Sequence, residues 1–155
     1  MPEMAPESST TKSGFSDTER AAMQQRAEEL RSMKGVKGAA KKAKELEACL
    51  TAIAELPETD RVIAERLHVM VSEEAPGLDP KTWYGFPTYA QDGKNILFYQ
   101  PASKFDTRYG TVNFAEDAAI DDGDMWAVSF ALLEMTEAAE KKIRGLIRKA
   151  VAAEG

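Results

Sequence analysis

The hydrophobic pattern changes its period at Pro76-Gly77, and this change limits the folds that the chain can adopt. Before this point apolar residues recur every three or four positions, as on one face of a helix. After it, short segments rich in aromatic and β-branched residues alternate with turn pairs, which is typical of strands. A last segment returns to the helical period. We therefore predict an α+β fold, in which amphipathic helices pack on a small antiparallel sheet of four to five strands and a C-terminal helix closes the chain.

Capping signals and apolar spacing predict four helices. Ser16 and Glu19 form a capping-box pair at the start of the first helix, and Thr136 is the expected N-cap of the last. In the first helix Met23, Ala27 and Leu30 recur on one face, which we expect to be buried. The predicted helices span about 17–33, the positions from Leu46 up to Pro57, about 58–74 and about 137–152.

The strands are predicted between the third and the last helix. Asp92-Gly93 lies between two apolar segments and predicts a type I′ hairpin, because both residues tolerate a positive φ. The segments predicted as strands are Trp83-Tyr84, Thr88 to Ala90, Ile96 to Tyr99, Tyr109 to Phe114 and Met125 to Phe130.

The length of 155 residues predicts one domain. We expect a disordered tail over 1–14, an N-terminal helix and linker over 15–38, and the α+β domain over 39–155. No apolar run approaches the ~20 residues of a membrane helix, and the first residues lack the apolar centre of a signal peptide. A single cysteine forms no internal disulfide, so a reducing cytoplasm fits best. The expected protein is therefore cytoplasmic and does not contact a membrane.

The net charge of -6 is unevenly distributed. Residues 1–56 hold nine acids and nine bases, whereas the segment from Glu116 to Glu140 holds eight acids and no base. An acidic field repels phosphate backbones, so we expect no nucleic-acid partner. The lysines between 34 and 44 are interleaved with glycine and alanine and have no aromatic neighbour, which favours a solvated linker and helix entry.

The sequence contains no recognisable catalytic constellation. His68 is the one histidine and Cys49 the one cysteine, and glycine-rich phosphate-binding motifs are absent. His68 is expected within the third helix, beside Leu67, at the boundary between core and surface rather than as a catalyst, and Cys49 in the core as a small hydrophobe. A binding protein is therefore a better expectation than an enzyme, and no catalytic residues are assigned.

The aromatic segment from Trp83 to Tyr89 is one candidate binding surface. Pro87 excludes the helical region for the residue before it, and Gly85 permits a bend or a close contact. The segment is either a corner of the core or a concave pocket for a small anion or a peptide, with a cation from Lys81, Lys94, Lys104 or Arg108 nearby. The candidate ligand-binding residues are Trp83, Tyr84, Phe86, Tyr89, Lys94 and Arg108.

The acidic segment is the second candidate surface, because iron, calcium and magnesium prefer oxygen ligands. The candidate metal ligands are Glu116, Asp117, Asp121, Asp122 and Asp124. The alternative interpretation is a solvated acidic face that keeps the protein soluble without binding a specific ligand.

The segment from Tyr84 to Tyr89, followed by Gly93-Lys94, an aromatic strand and a cationic last helix, resembles the YdhG-like family over roughly Leu46 to Val151. Family members usually have methionine or isoleucine where this chain has Phe86. The resemblance implies a small α+β domain. Some relatives are described as frataxin-like bacterial iron chaperones, which implies weakly bound iron on surface carboxylates and iron–sulfur or haem assembly proteins as partners. Iron binding by the acidic segment is therefore our first functional expectation, and a pocket at the aromatic segment is the alternative.

Overall fold

The computed structural model describes residues 16–152. The tail predicted over 1–14 lies outside these residues. Between residues 16 and 152, the order of elements is α1 (Asp17–Met33), α2 (Gly38–Ala54), α3 (Glu58–Glu74), β1 (Asp79–Trp83), β2 (Phe86–Gln91), β3 (Lys94–Gln100), α4 (Ala102–Phe105), β4 (Gly110–Phe114), β5 (Ser129–Leu132) and α5 (Glu137–Ala152). The predicted α+β class with a C-terminal helix is confirmed. None of these helices has the length and apolar character needed to cross a membrane.

The starts of α1 and α5 follow the capping signals of the sequence, whereas α2 begins at Gly38 rather than at the predicted Leu46, with no side-chain cap at Lys37. At the start of α1, the Glu19 N–H donates to Ser16 Oγ at 3.1 Å, and the Ser16 N–H donates to Glu19 Oε1 at 2.8 Å. At the start of α5, the Ala139 N–H donates to Thr136 Oγ1 at 3.2 Å. Each of these bonds satisfies a backbone N–H that the first turn of a helix leaves free, which explains why both helices begin where the sequence predicts.

The five strands form one antiparallel sheet in the order β1-β2-β3-β4-β5. The predicted hairpin at Asp92-Gly93 is confirmed, with φ of 52° and 81°. A second two-residue turn in which both residues have a positive φ occurs at Tyr84-Gly85, where φ is 55° and 82°. Tyr84 was therefore wrongly predicted to lie in a strand. The last strand begins at Ser129, later than the predicted Met125. Of the residues just before it, Val128 alone bonds to β4: its carbonyl accepts from the Phe114 N–H at 2.7 Å.

The hydrophobic core lies between one face of the sheet and three helices. Tyr89, Leu97, Tyr99 and Val112 are fully buried on the sheet side. The helices contribute the remaining large side chains of this core, among them Cys49, Ile53, Leu67, Met70, Ile143 and Ile147. Cys49 lies in the core as predicted, and burial raises the pKa of its thiol to about 11.

Ion pairs join α3 to α5 at the edge of this core. Glu140 accepts from Arg66 at 2.6 Å and from Arg144 at 2.9 Å, and Glu74 accepts from Arg144 at 2.8 Å and from Arg148 at 2.9 Å. The bonds from Arg66, followed by those from Arg144, lower the pKa of Glu140 to about 2. Glu140, the last residue of the acidic segment, is thus neutralised by Arg66 on α3 and by Arg144 one turn along α5.

We predict that this network makes the free energy of unfolding decrease with falling pH below the usual pKa of a glutamate, 4.5. The pKa of Glu140 falls from its usual 4.5 to about 2 on folding, so its contribution is complete above pH 4.5 and is lost as the pH falls towards 2. Urea denaturation at a series of pH values should show a smaller loss of unfolding free energy in this window for Glu140→Gln than for the wild type. Glu116→Gln changes an exposed carboxylate and should keep the wild-type profile. Equal pH profiles for the wild type and Glu140→Gln would contradict the prediction.

Candidate functional site

A buried carboxylate on α1 holds the turn between β1 and β2. The side chain of Glu29 accepts hydrogen bonds from the Tyr84 N–H at 3.0 Å and from the Gly85 N–H at 2.7 Å, one on each oxygen. Arg26 donates to the same carboxylate at 3.2 Å. Glu29 is only 9% exposed, and burial of a carboxylate is tolerated when its oxygens are hydrogen-bonded in this way. Glu29 therefore fixes α1 to the end of the hairpin.

The turn has a strained residue that this contact helps to hold. Type I′ turns prefer asparagine or aspartate followed by glycine, because both central residues have a positive φ. Tyr84 has a φ of 55°, which costs a residue with a Cβ roughly 1–2 kcal/mol. In this turn the N–H groups of both central residues point away from the strands, and here they point at Glu29. The carboxylate supplies the acceptors that the hairpin lacks.

The face of α1 that packs on the hairpin is polar, which the sequence analysis did not predict. Met23 and Leu30, which we expected to be buried, are 44% and 57% exposed. The contact is made instead by Gln25 and Glu29, together with Ala22. The apolar spacing predicted the helix correctly but not its buried face, because the partner of α1 is a turn with free N–H groups rather than an apolar surface.

Aromatic rings cluster on the face of the sheet opposite the core. Phe86 stacks on Phe98 with centroids 5.9 Å apart and an angle of 8°, and Phe105 meets Phe86 edge-on at 5.8 Å. Trp83 contacts Phe98 at 5.1 Å and Tyr84 at 5.0 Å, in both cases edge-on. Such offset and edge-to-face pairs are the preferred arrangements of aromatic side chains. The five rings form one cluster beside α1, in which Phe86 is only 5% exposed and the other four rings are half-buried. We call this cluster the aromatic hairpin surface.

A second buried carboxylate positions the part of this surface that comes from α4. Asp60, in the first turn of α3, accepts from the Ser103 N–H at 3.1 Å and from the Tyr99 hydroxyl at 3.5 Å. The bond from the Ser103 N–H connects α4 to α3, and α4 contains Lys104 and Phe105. Asp60 also contributes to raising the pKa of Tyr99, although burial is the larger cause.

A cavity of about 270 Å³ opens between α1 and the aromatic hairpin surface. Its walls are mostly apolar and consist of Glu19, Ala22, Met23, Tyr84, Phe86 and Phe105. Lys104 does not line the cavity, but its ammonium lies 3.3 Å from the position that a Cβ on Gly85 would occupy, between the two lining residues Tyr84 and Phe86 in the sequence. The charge of Lys104 is not neutralised by an ion pair with any residue in 16–152. An apolar cavity with a cation near it that no described residue pairs suits a small amphipathic anion.

The structure brings together only part of the predicted ligand-binding set. Trp83, Tyr84 and Phe86 lie in the aromatic hairpin surface, but Tyr89 is fully buried on the other face, because side chains alternate along a strand. Its hydroxyl lies 2.9 Å from Nδ1 of His68, which is half-buried, and this burial lowers the pKa of the imidazole. Tyr89 therefore belongs to the core.

The two predicted cations also lie elsewhere. Lys94 follows the Asp92-Gly93 turn at the opposite end of β2 from Phe86. Arg108 stacks over the ring of Tyr109, with its guanidinium carbon 5.1 Å from the centroid. Lys104, which the sequence analysis named only as one of four possible cations, takes their place beside the aromatic rings.

A wider groove of about 470 Å³ lies between α1, α2 and β1. Arg26, Lys41, Lys44 and Lys81 face it together with five glutamates. Burial is the main cause that lowers the pKa of Lys81. Because the groove mixes both signs of charge, it indicates no single class of ligand, and we place the candidate site at the smaller apolar cavity.

The predicted metal ligands do not form a cluster. Glu116, Asp117, Asp121, Asp122 and Asp124 are all exposed. Within 16–152, no three His, Cys, Asp or Glu side chains are close enough together to hold a metal ion. These residues as placed do not fit a preformed iron site. Iron binding stays a prediction, which titration of the metal-free protein with ferrous iron would test.

Models of known protein families, curated proteins and solved structures were each compared with the chain, and none of them matches it.

We predict that a methyl group at Gly85 weakens the contact between α1 and the hairpin. Gly85 and Gly93 have nearly the same φ, 82° and 81°, but a Cβ on Gly85 would lie 2.9 Å from Gln25 Cγ, whereas a Cβ on Gly93 would meet nothing within 4 Å. Both alanine variants should lose roughly 1–2 kcal/mol from backbone strain. Only Gly85→Ala should also increase proteolysis of the α1–α2 linker, because it displaces the helix. Equal cleavage of the two variants would contradict this prediction.

Proposed function

We propose that this chain is a binding protein that holds a small amphipathic anion, a ring bearing a carboxylate, in the cavity between α1 and the aromatic hairpin surface. The observation that carries the proposal is the cavity itself, with its mostly apolar wall of aromatic rings. The ammonium of Lys104 lies next to the Tyr84-Gly85 turn that borders the cavity, and no residue in 16–152 forms an ion pair with it. This is the alternative of the sequence analysis, with Lys104 in place of Lys94 and Arg108.

The size of the cavity supports a ligand of one ring or two fused rings. Apolar cavities of ~150 Å³ hold a benzene molecule, and pockets for larger ligands begin at ~300 Å³. At about 270 Å³ the cavity leaves room for a ring with a short polar group. Tyr84, Phe86 and Phe105 can contact such a ring, and aromatic contacts of this kind favour binding beyond the area that they bury.

The strain at Tyr84 is a second argument for binding. An asparagine at this position would form the same turn at lower cost, but it would remove a ring from the cavity wall. Strained backbone of this kind is concentrated at binding sites, where the side chain rather than the backbone preference determines the residue. The tyrosine is therefore explained by the ring that it supplies to the pocket.

The charge of the site favours an anion over a neutral ligand, although Glu19 also lines the cavity. Its carboxylate accepts from the Ser16 N–H at 2.8 Å, at the positive end of α1, which offsets part of its charge. Lys104 has no such partner among the described residues. A carboxylate on the ligand would supply one.

Membership of the YdhG-like family and its iron-chaperone role are not needed for this proposal. The resemblance rests on the aromatic segment, which here forms the wall of an apolar cavity rather than a set of oxygen ligands. The two roles are separable, since the acidic segment and the cavity share no residue.

Calorimetric titration with benzoate, phenylacetate and the neutral benzamide tests the proposal. We expect saturable binding of at least one carboxylate, weakened two- to fivefold in Lys104→Ala, as is typical of one exposed ion pair. The affinity for benzamide should be the same in the wild type and in Lys104→Ala. Lys94→Ala is the matched control, because it removes a lysine distant from the cavity.

Tyr84→Asn separates the pocket from the fold. This variant should unfold at a higher urea concentration than the wild type, because it relieves the positive φ of Tyr84, while it loses affinity for the ring. Absence of binding by both carboxylates, or equal binding in wild type and Tyr84→Asn, would contradict the proposed function.

A further inference from the structure

The sheet has an open edge at β5. This strand pairs with β4 on one side, and within the described residues no other strand pairs with its second side. Ser129 and Ala131, on this strand, are exposed. The other edge strand, β1, packs against α2. Open edges present unpaired backbone groups that can bind another strand.

The register identifies which backbone groups of β5 point outward. Phe114 and Val128 are bonded through the Phe114 N–H and the Val128 carbonyl, and bonded pairs alternate in an antiparallel ladder. Phe130 and Leu132 therefore turn their backbone groups towards β4. Ser129 and Ala131 turn their N–H and carbonyl groups away from the sheet, where a further strand would find two donors and two acceptors.

Large apolar side chains surround this edge. Met125 is 89% exposed and Leu133 is 63% exposed, and Trp126 and Val128 are also exposed. Val128 and Leu133 adjoin β5 directly, and Met125 and Trp126 lie in the segment that leads into it. Single exposed apolar residues are common on protein surfaces, but four of them within nine positions form a patch typical of an interaction site.

The same segment is acidic, and its carboxylates next to β5 are unpaired within the part of the chain that the structure describes. Asp121, Asp122, Asp124 and Glu134 flank the apolar residues, and the segment 121–134 contains no base. None of these four carboxylates forms an ion pair with a residue between 16 and 152, whereas Glu74 and Glu140 are each paired with two arginines. The charge around the edge is thus available to a partner.

We propose that the β5 edge binds an extended, basic and partly apolar segment of another protein by adding it to the sheet as a sixth strand. Backbone bonds to Ser129 and Ala131 hold the segment, and Met125, Trp126 and Leu133 contact its apolar side chains. Its lysines or arginines pair with the carboxylates beside the strand. A second copy of this chain is disfavoured at the same edge, because joining two β5 strands would bring two acidic segments together.

Amide hydrogen exchange with a short peptide of alternating lysine and valine tests this proposal. The amides of Ser129 and Ala131 should exchange freely in the free protein and become protected when the peptide is added. A peptide of alternating glutamate and valine should give no protection. Protection of neither amide by the lysine peptide would overturn the proposal.

Two matched pairs of variants test the backbone and charge contributions by calorimetry with the same peptide. Ala131→Pro removes the outward N–H, and should weaken binding by about tenfold, whereas Ala131→Val keeps it. The double variant Asp122→Asn with Asp124→Asn should weaken binding by about threefold. The control is Glu116→Gln with Asp117→Asn, which has the same net charge and should bind as the wild type does.

Wild-type affinity in Ala131→Pro would overturn strand addition. Dimerisation of the free protein that Ala131→Pro abolishes would identify a second copy as the occupant and overturn the assigned partner.

Discussion

The two hydrogen bonds from the Tyr84 and Gly85 N–H groups to Glu29 determine how the outer part of the molecule is assembled. They satisfy the free donors of a strained turn and hold α1 against the hairpin. Without them α1 would offer Gln25 and an alanine to the hairpin, while Met23 and Leu30 remain largely exposed. The position of α1 against the hairpin, and with it the cavity beside the aromatic hairpin surface, therefore depends mainly on one carboxylate, while Lys44 on α2 donates to the Ser32 carbonyl near the end of α1 at 2.8 Å.

Glu29 and the buried Asp60 have parallel roles on two sides of the cavity. Each is an acid in a helix that accepts from the backbone of a distant segment, the hairpin turn in one case and α4 in the other. Charged acceptors make stronger hydrogen bonds than neutral ones, and they fix geometry that apolar packing would leave variable. Glu29 bonds no residue of the core between the sheet, α2, α3 and α5, and Asp60 touches this core only through the hydroxyl of Tyr99. The fold and the candidate site are thus held by different interactions, and variants at the site can change binding while the core remains intact.

The sequence predicts the parts of this structure that depend on local rules. The bounds of α1, α3 and α5 follow from apolar period and from capping residues such as Ser16 and Thr136, and the Asp92-Gly93 turn follows from its composition. The start of α2 does not, because the segment from Gly38 to Leu46 has no capping residue and few large apolar ones. The Tyr84-Gly85 turn was missed because tyrosine is not a type I′ residue, and the carboxylate that supports it lies 55 positions earlier. The one local signal for this turn was a glycine at its second central position, between two segments rich in strand-forming residues. The choice of Lys104 over Lys94 and Arg108 depends on the sheet register, which no single-sequence pattern specifies.

Amide hydrogen exchange at Tyr84 and Gly85 tests the central claim most directly. In the wild type both amides should be protected, although residues at the centre of a hairpin turn normally exchange freely. Glu29→Ala should increase their exchange by more than about tenfold, as expected for the loss of a hydrogen bond to a charged group, while Leu97 and Val112 in the core keep their protection. Glu28→Ala, which changes the exposed neighbouring glutamate, should leave both turn amides protected. Unchanged protection of Tyr84 and Gly85 in Glu29→Ala would contradict the account.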